Sequence, residues 1–192
     1  QELFAADKKI GERITKEAGL SGVLSVNKVT ILTPLDGAQS FSTSGIGAIK
    51  IRLPNSWSST MLKLFIEIYN YTTNESFSLI VSGYLFISAS IANSTWHNTS
   101  VQILGSKTDR NFTVRFGHDG TKCCIYIGEL NTTWKLAKVA ITKAMLSHRN
   151  YSSDLWLRGW QISLETKSLQ KITRTHTNNL PVSQTINLPI FP

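Results

Sequence analysis

The sequence predicts an all-β fold: an antiparallel, jelly-roll-like β-sandwich of about eight strands, carrying an N-terminal arm and an extended C-terminal tail. Two observations point there. Apolar and polar residues swap at every step in Ile49-Lys50-Ile51-Arg52-Leu53, in Phe112-Thr113-Val114-Arg115-Phe116 and in Trp160-Gln161-Ile162-Ser163-Leu164. Successive strand side chains point to opposite faces, so each segment turns one face to a core and one to water. Between such segments stand clusters of turn formers, among them Pro54-Asn55-Ser56 and Thr72-Thr73-Asn74, at the spacing of a sandwich. A scaffold of this kind uses its strands for folding and presents its chemistry on loops.

Taken in order, residues 1–45 read as an attachment arm. Asp7 caps a short helix over about residues 7–18, with Ile10 and Ile14 on one face, Glu12 and Lys16 as an i,i+4 pair and Gly19 as terminator. From 20 to 45, apolar pieces such as Val29-Thr30-Ile31-Leu32 alternate with Pro34, Gly37, Ser40, Ser42, Ser44 and Gly45, which predicts a strand or two in open linker. Residues 46–166 form the sandwich domain, with strands near 46–53, 61–70, 76–88, 99–104, 111–117, 122–129, 136–145 and 156–166. His118-Asp119-Gly120 reads as a hairpin turn, because Asp-Gly tolerates the positive φ of a two-residue loop. Residues 167–192 lose the alternation at Pro181, Pro189 and Pro192 but keep Leu180, Val182, Ile186, Leu188, Ile190 and Phe191. So apolar a tail is expected to lie along its own domain or a partner.

Composition bounds the function. The chain has 192 residues and 41% apolar content, enough for one domain with extensions. It has no 18-residue apolar run of the kind that makes a spanning helix. It begins at Gln1, which reads as a processed product or part of something longer. The net charge of +8 is concentrated at the C-terminal end: residues 134–192 hold 8 basic and 2 acidic groups. These cations are dispersed without a nucleic-acid-binding signature, so they read as surface solvation and no nucleic-acid partner is expected. The only cysteines, Cys123 and Cys124, are adjacent and on a strand face opposite sides, which predicts two reduced thiols. His97, His118, His148 and His176 show no ligand spacing, so no metal or other cofactor is expected.

The candidate binding residues are aromatic. An indole in a loop can stack on a sugar ring while its N–H bonds a hydroxyl. Of Trp57, Trp96, Trp134, Trp156 and Trp160, the loop candidates are Trp96, with His97 beside it in Ser94-Thr95-Trp96-His97-Asn98, and Trp156. Trp160 alternates with Ile162 and Leu164 and reads as core. Tyr69 and Tyr71, beside Asn70 and Asn74, form a second polar-aromatic patch whose bland reading is a strand end with a turn. Seven of the twelve asparagines open an Asn-x-Ser/Thr triplet: Asn70, Asn74, Asn93, Asn98, Asn111, Asn131 and Asn150. They support the rival reading of a secreted lectin or envelope glycoprotein. Catalysis is not expected, since the acids are sparse and the one triad that can be drawn, His118, Asp119 and Ser153, lacks a nucleophile elbow.

Two phrases carry a family likeness: Gly47-Ala48-Ile49-Lys50-Ile51-Arg52-Leu53-Pro54 with Trp57 and Met61-Leu62-Lys63-Leu64, and 114–129 with Trp134 and 138–142 behind it. Over about residues 46–166 the chain resembles C-terminal tail-fibre and receptor-binding modules of bacteriophages that infect Bacteroidetes-type bacteria. The resemblance implies a virion tail protein, a homotrimer, and attachment to a host cell-surface polysaccharide or protein receptor, while the two reduced cysteines point to assembly in a reducing host cytoplasm. It also leaves room for a structural adaptor that binds other tail proteins.

Overall fold

The computed structural model describes residues 23–107, 112–148 and 154–178, and these build an all-β fold of antiparallel strands. In chain order the strands are β1 (Val23–Val26), β2 (Val29–Leu32), β3 (Ala38–Ser40), β4 (Ser44–Ile46), β5 (Ala48–Arg52), β6 (Thr60–Asn70), β7 (Glu75–Phe86), β8 (Thr95–Lys107), β9 (Phe112–His118), β10 (Cys123–Ile127), β11 (Thr133–Lys135), β12 (Ala137–His148), β13 (Gln161–Glu165) and β14 (Arg174–Asn178). One short helix, α1 (Asp154–Leu157), precedes β13. The large sheet has the order β1-β2-β12-β6-β7-β8, with β3 also paired to β12. A second sheet runs β13-β5-β10-β9-β14, and β11 pairs with β4 alone.

Period-two patterning decides which faces meet. On β6 and β7 the cross-strand pairs Leu64–Val81, Ile66–Leu79 and Ile68–Phe77 are all buried. They enter the same apolar core as Ile49, Ile51, Val114, Phe116, Ile125 and Ile127 of the second sheet. Each such side chain contributes about 1.5–3 kcal/mol by leaving water. The opposite face of the large sheet carries Met61, Lys63, Phe65, Glu67 and Tyr69 from β6 and is not covered by another sheet among the described residues.

The eight strands expected over 46–166 are present with changed ends, β2 forms at the apolar piece Val29–Leu32 of the arm, and β1, β3, β4, β11 and β14 are five short additions. Within 23–45, Leu32 and Thr30 are buried, β2 pairs with β12 from Leu32–Ala144 to Val29–Ser147, and β3 pairs with Lys138 to Ala140, so β1, β2 and β3 are built into the large sheet while β4 pairs with β11. The strand expected over 156–166 starts only at Gln161, because α1 turns Trp156 into the core before the chain extends. Within 167–178, β14 lies along the domain and pairs with β9. The helix expected over 7–18 and the apolar end beyond 178 lie outside the described residues.

Candidate functional site

The tryptophans do not make the site. All five are buried, and Trp96 and Trp156 are both 0% exposed. Trp96 lies in β8 rather than in a loop, and a β-bulge turns it inward. Ser82 pairs with Ser100 but Tyr84 pairs with His97, so Gly83 faces both Asn98 and Thr99. Asn98 takes φ +48° to absorb the extra residue. On an unbroken strand Trp96 would share the solvent face with Ser100; one added residue reverses its side. Its indole then donates to the carbonyl of Gly117 at 2.9 Å and meets Phe116 edge-on at 5.0 Å. Trp156 packs at 6.0 Å from Trp160, whose indole N–H donates to the Trp156 carbonyl at 2.7 Å. Both are framework residues, which corrects the expectation drawn from their polar neighbours.

The other three candidates reach solvent. Tyr69 and Tyr71 are 41% and 62% exposed, and their rings meet edge-on with centroids 6.3 Å apart. Asn70, between them in sequence, fixes the turn that follows Tyr69. Its buried amide donates to Thr73 Oγ1 at 2.7 Å and Glu75 Oε2 at 2.8 Å, while its Oδ1 accepts the Lys135 N–H at 2.6 Å. The chain then makes a single 3-10 turn over Tyr71–Thr73, closed by Asn74 at φ +51°. His97 lies half-buried at the opposite end of the same sheet face, 4.8 Å from the ring of Phe86, which is itself 6.4 Å from Tyr84. Met61, opposite Tyr84, is eight residues from Tyr69 on β6. The two aromatic patches are therefore about 26 Å apart at ~3.3 Å per strand residue. Sequence reading missed Tyr84 and Phe86, although their alternation with buried Val81, Gly83 and Leu85 marks them as outward.

The densest polar cluster is the β9–β10 turn. Its central pair is Gly120-Thr121, one residue later than expected: Asp119 N–H donates to the Lys122 carbonyl at 2.9 Å, and Gly120 supplies φ +98°. Asp119 Oδ1 accepts the N–H groups of Thr121 and Lys122 at 3.0 and 2.8 Å, while Oδ2 takes Arg52 Nε at 2.7 Å and Lys50 Nζ at 3.1 Å. Burial opposes the charge. The backbone donors of Lys122 and Thr121, then Arg52 and Lys50, outweigh it and hold the carboxyl well below the usual carboxylate range.

Next to this turn, Ser56 Oγ is 2.7 Å from His118 Nε2, a spacing that a nucleophile and its base would share. However, His118 Nδ1 accepts the Gly120 N–H at 3.0 Å, so the ring proton sits on Nε2 and is donated to Ser56. The ring has no lone pair left for the serine proton or for a metal. It is stacked on Trp57 at 5.1 Å, and burial, ahead of the opposing pull of Asp119, pushes its pKa down. Ser153, the third member of the drawn triad, lies outside the described residues. Cys123 and Cys124 are both free and buried, on opposite faces of β10 as expected. Burial raises both thiols, Cys124 to about 12. Of the Asn-x-Ser/Thr asparagines, Asn74, Asn93, Asn98 and Asn131 are exposed, whereas the Asn70 amide is fully used inside the turn.

What remains as a candidate site is the solvent face of the large sheet, with Tyr69 and Tyr71 at one end and His97, Phe86 and Tyr84 at the other. Comparison with protein-family models, with curated proteins and with solved structures finds no match to this chain.

Proposed function

We propose that this chain is a non-enzymatic attachment protein of a bacteriophage tail fibre or tail appendage. It acts as a homotrimer and binds a host cell-surface polysaccharide or protein receptor. The family resemblance over residues 46–166 supports the virion role, and one observation supports the binding mode. Rings on the sheet face stand open to solvent at both ends, and the turn that carries Tyr71 is fixed by the hydrogen bonds of Asn70. Aromatic faces beside hydroxyls and amides suit sugar rings, and immobile side chains lose little entropy on contact. Each contact is weak. Three copies on one tip would make the second and third contacts intramolecular, raising avidity by about 10²–10⁴.

A second reading, the structural adaptor, is favoured by β1. It ends the large sheet and exposes Leu24 and Val26 by 50% and 55%, a surface suited to a neighbouring tail protein or subunit.

The test is adsorption of the labelled full chain to a panel of Bacteroidetes-type strains, with light scattering to count subunits. The expected result is a trimer, saturable retention on at least one strain, and about tenfold weaker retention when Tyr69→Ala and Tyr71→Ala are combined, a change worth about 1.4 kcal/mol. A trimer retained by no strain would favour the adaptor. A monomer retained by none would overturn both readings.

A further inference from the structure

At the Thr60 end of β6 the solvent face of the large sheet sinks into a groove of about 1070 Å³, lined in part by Lys28, Ser59, Lys63, Ser82, Tyr84 and Asn98. That is at or above the upper end of ordinary small-ligand sites, ~300–1000 Å³.

Three features of the groove agree. The first is charge. Its lining includes two lysines and no aspartate or glutamate. The ion pairs among the described residues join Lys50 and Arg52 to Asp119, and Arg115 to Glu129, and leave Lys28 and Lys63 out. Lys63 Nζ lies 5.5 Å from the centroid of Phe65, which also faces Lys143 Nζ at 4.3 Å, so two like charges share one ring. A site so unbalanced attracts an anion.

The second is backbone. Lys28, Ser59 and Asn98 hold φ of +66°, +50° and +48°, a region that residues with a Cβ seldom occupy. Lys28 is the clearest. Val26 pairs with Val29, so Asn27-Lys28 is a two-residue hairpin turn with both φ positive, and the second position ordinarily belongs to glycine. Ser59 is pinned by its N–H on the Leu85 carbonyl at 2.8 Å, and Asn98 by the β8 bulge. Such conformations concentrate where a fold gives up local stability to place a functional group.

The third is the kind of donor on offer. Hydroxyls of Ser59 and Ser82, the Asn98 amide and the Tyr84 ring are the groups that read a sugar. An acidic peptide cannot add a strand over the floor of the groove, since β12, β6 and β7 are paired on both sides and the open edges of the sheet are β1 and β8.

We propose that this groove binds an anionic saccharide: Lys28 and Lys63 meet its carboxylates, Tyr84 lies against a ring face, and Asn98 with Ser59 reads hydroxyls. The assignment rests on the attachment reading and names its ligand class. The experiment is calorimetric titration of the full chain with oligogalacturonate, its fully methyl-esterified form, a sulfated oligosaccharide of equal length and oligoglutamate, at low and high salt. Lys28→Gly is the informative variant, because glycine suits the turn better than lysine while removing the charge. The expected result is binding of an anionic oligosaccharide that weakens with salt, loss of binding on esterification, and about fivefold to tenfold weaker binding by Lys28→Gly and by Lys63→Gln at unchanged or higher thermal stability. A preference for the sulfated arm keeps the proposal and changes the acid group. Equal binding of the ester, wild-type affinity in both variants, equal or tighter binding of oligoglutamate, or binding of no anionic saccharide would each overturn it. Cells that retain the chain while no acidic saccharide binds would leave attachment standing without this groove. Groove-dependent binding with no retention on cells would do the reverse.

Discussion

At the scale of single residues, Asp119 carries the largest concentration of polar contacts. One carboxylate oxygen closes the β9–β10 turn and the other neutralises Lys50 and Arg52 on β5, so one side chain joins a local turn to a neighbouring strand. Asp119→Asn removes the charge, keeps the size and leaves two cations facing an amide. A fully buried pair broken this way costs about 3–5 kcal/mol, and because both cations retain solvent contact the expected loss here is nearer 2 kcal/mol. The pH dependence follows from the lowered pKa. The folded chain binds the Asp119 proton less readily than the unfolded chain, whose aspartates titrate at about 3.9. Its stabilisation is therefore complete above about pH 4 and drains away as the pH falls below that value. His118 acts in the same direction but earlier: its lowered pKa makes the buried neutral ring cost stability as acid charges it, starting below about pH 6.5. Urea unfolding at pH 7, 5 and 3 checks both. Wild type is expected to lose stability across both intervals, and Asp119→Asn across the upper one with a smaller loss across the lower one, where Glu165, its carboxyl held below the usual range by the Lys167 N–H, still contributes. A variant as stable as wild type at pH 7 would mean that the turn holds without the charge.

At the scale of elements, the β8 bulge decides which residues the large sheet buries. Trp96 can turn inward because Gly83, across from the extra residue, leaves room for the indole: a Cβ there would lie 2.8 Å from Cε3 of Trp96. Gly83→Ala is expected to cost about 1–3 kcal/mol, because a ring held by Phe116 and the Gly117 carbonyl has little freedom to yield. In a chain of this size that is a fall in Tm of about 2–4 °C per kcal/mol, whereas Ser82→Ala, on the open face, should stay within about 0.5 kcal/mol. Thermal unfolding of the two variants side by side measures the difference. The same bulge marks where sequence reading stopped working. Uninterrupted alternation, as in β6, β9 and β13, was legible because period two converts directly into a buried and an open face. Ser94-Thr95-Trp96-His97-Asn98 looked like a loop because the inserted residue breaks that rhythm, and its effect on Trp96 depends on the partner strand. Likewise α1 is too short to show helical periodicity, β3, β4 and β11 are too short to show alternation, and β14, as long as β13, has no apolar residue with which to alternate. Tyr69 and Tyr71 were readable because a turn signal beside them fixes exposure locally.

At the scale of the whole molecule, the C-terminal described segment ties the two sheets together. After β13 it crosses the outer side of the second sheet, laying Leu169 and Ile172 against Ala48, Cys124 and Tyr126 as a small separate core. It passes so close to β9 that a Cβ on Gly117 would meet the Gln170 carbonyl oxygen at 2.7 Å. It then pairs as β14 with β9 while reaching β8 of the large sheet, through Thr173 Oγ1 on the Trp96 N–H at 3.2 Å and His176 Nε2 with Thr99 Oγ1 at 2.8 Å. The adjacent cysteines report on the two cores separately. Cys123 lies in the core shared by the sheets, and Cys124 lies beneath the crossing segment alone. In the native chain both should resist an aromatic disulfide reagent, being buried and held as thiols by burial. Ile172→Asp puts a carboxylate into the small core and should lift the segment without opening the large one. One thiol per chain, identified as Cys124 by peptide mass, would then react in buffer, and the second only in denaturant. Simultaneous reaction of both would mean that the segment is integral to global stability. An unreactive pair would mean that Leu169 alone suffices to seal Cys124, so the order in which the two neighbours become labelled measures how far the crossing segment can open independently of the sheets it joins.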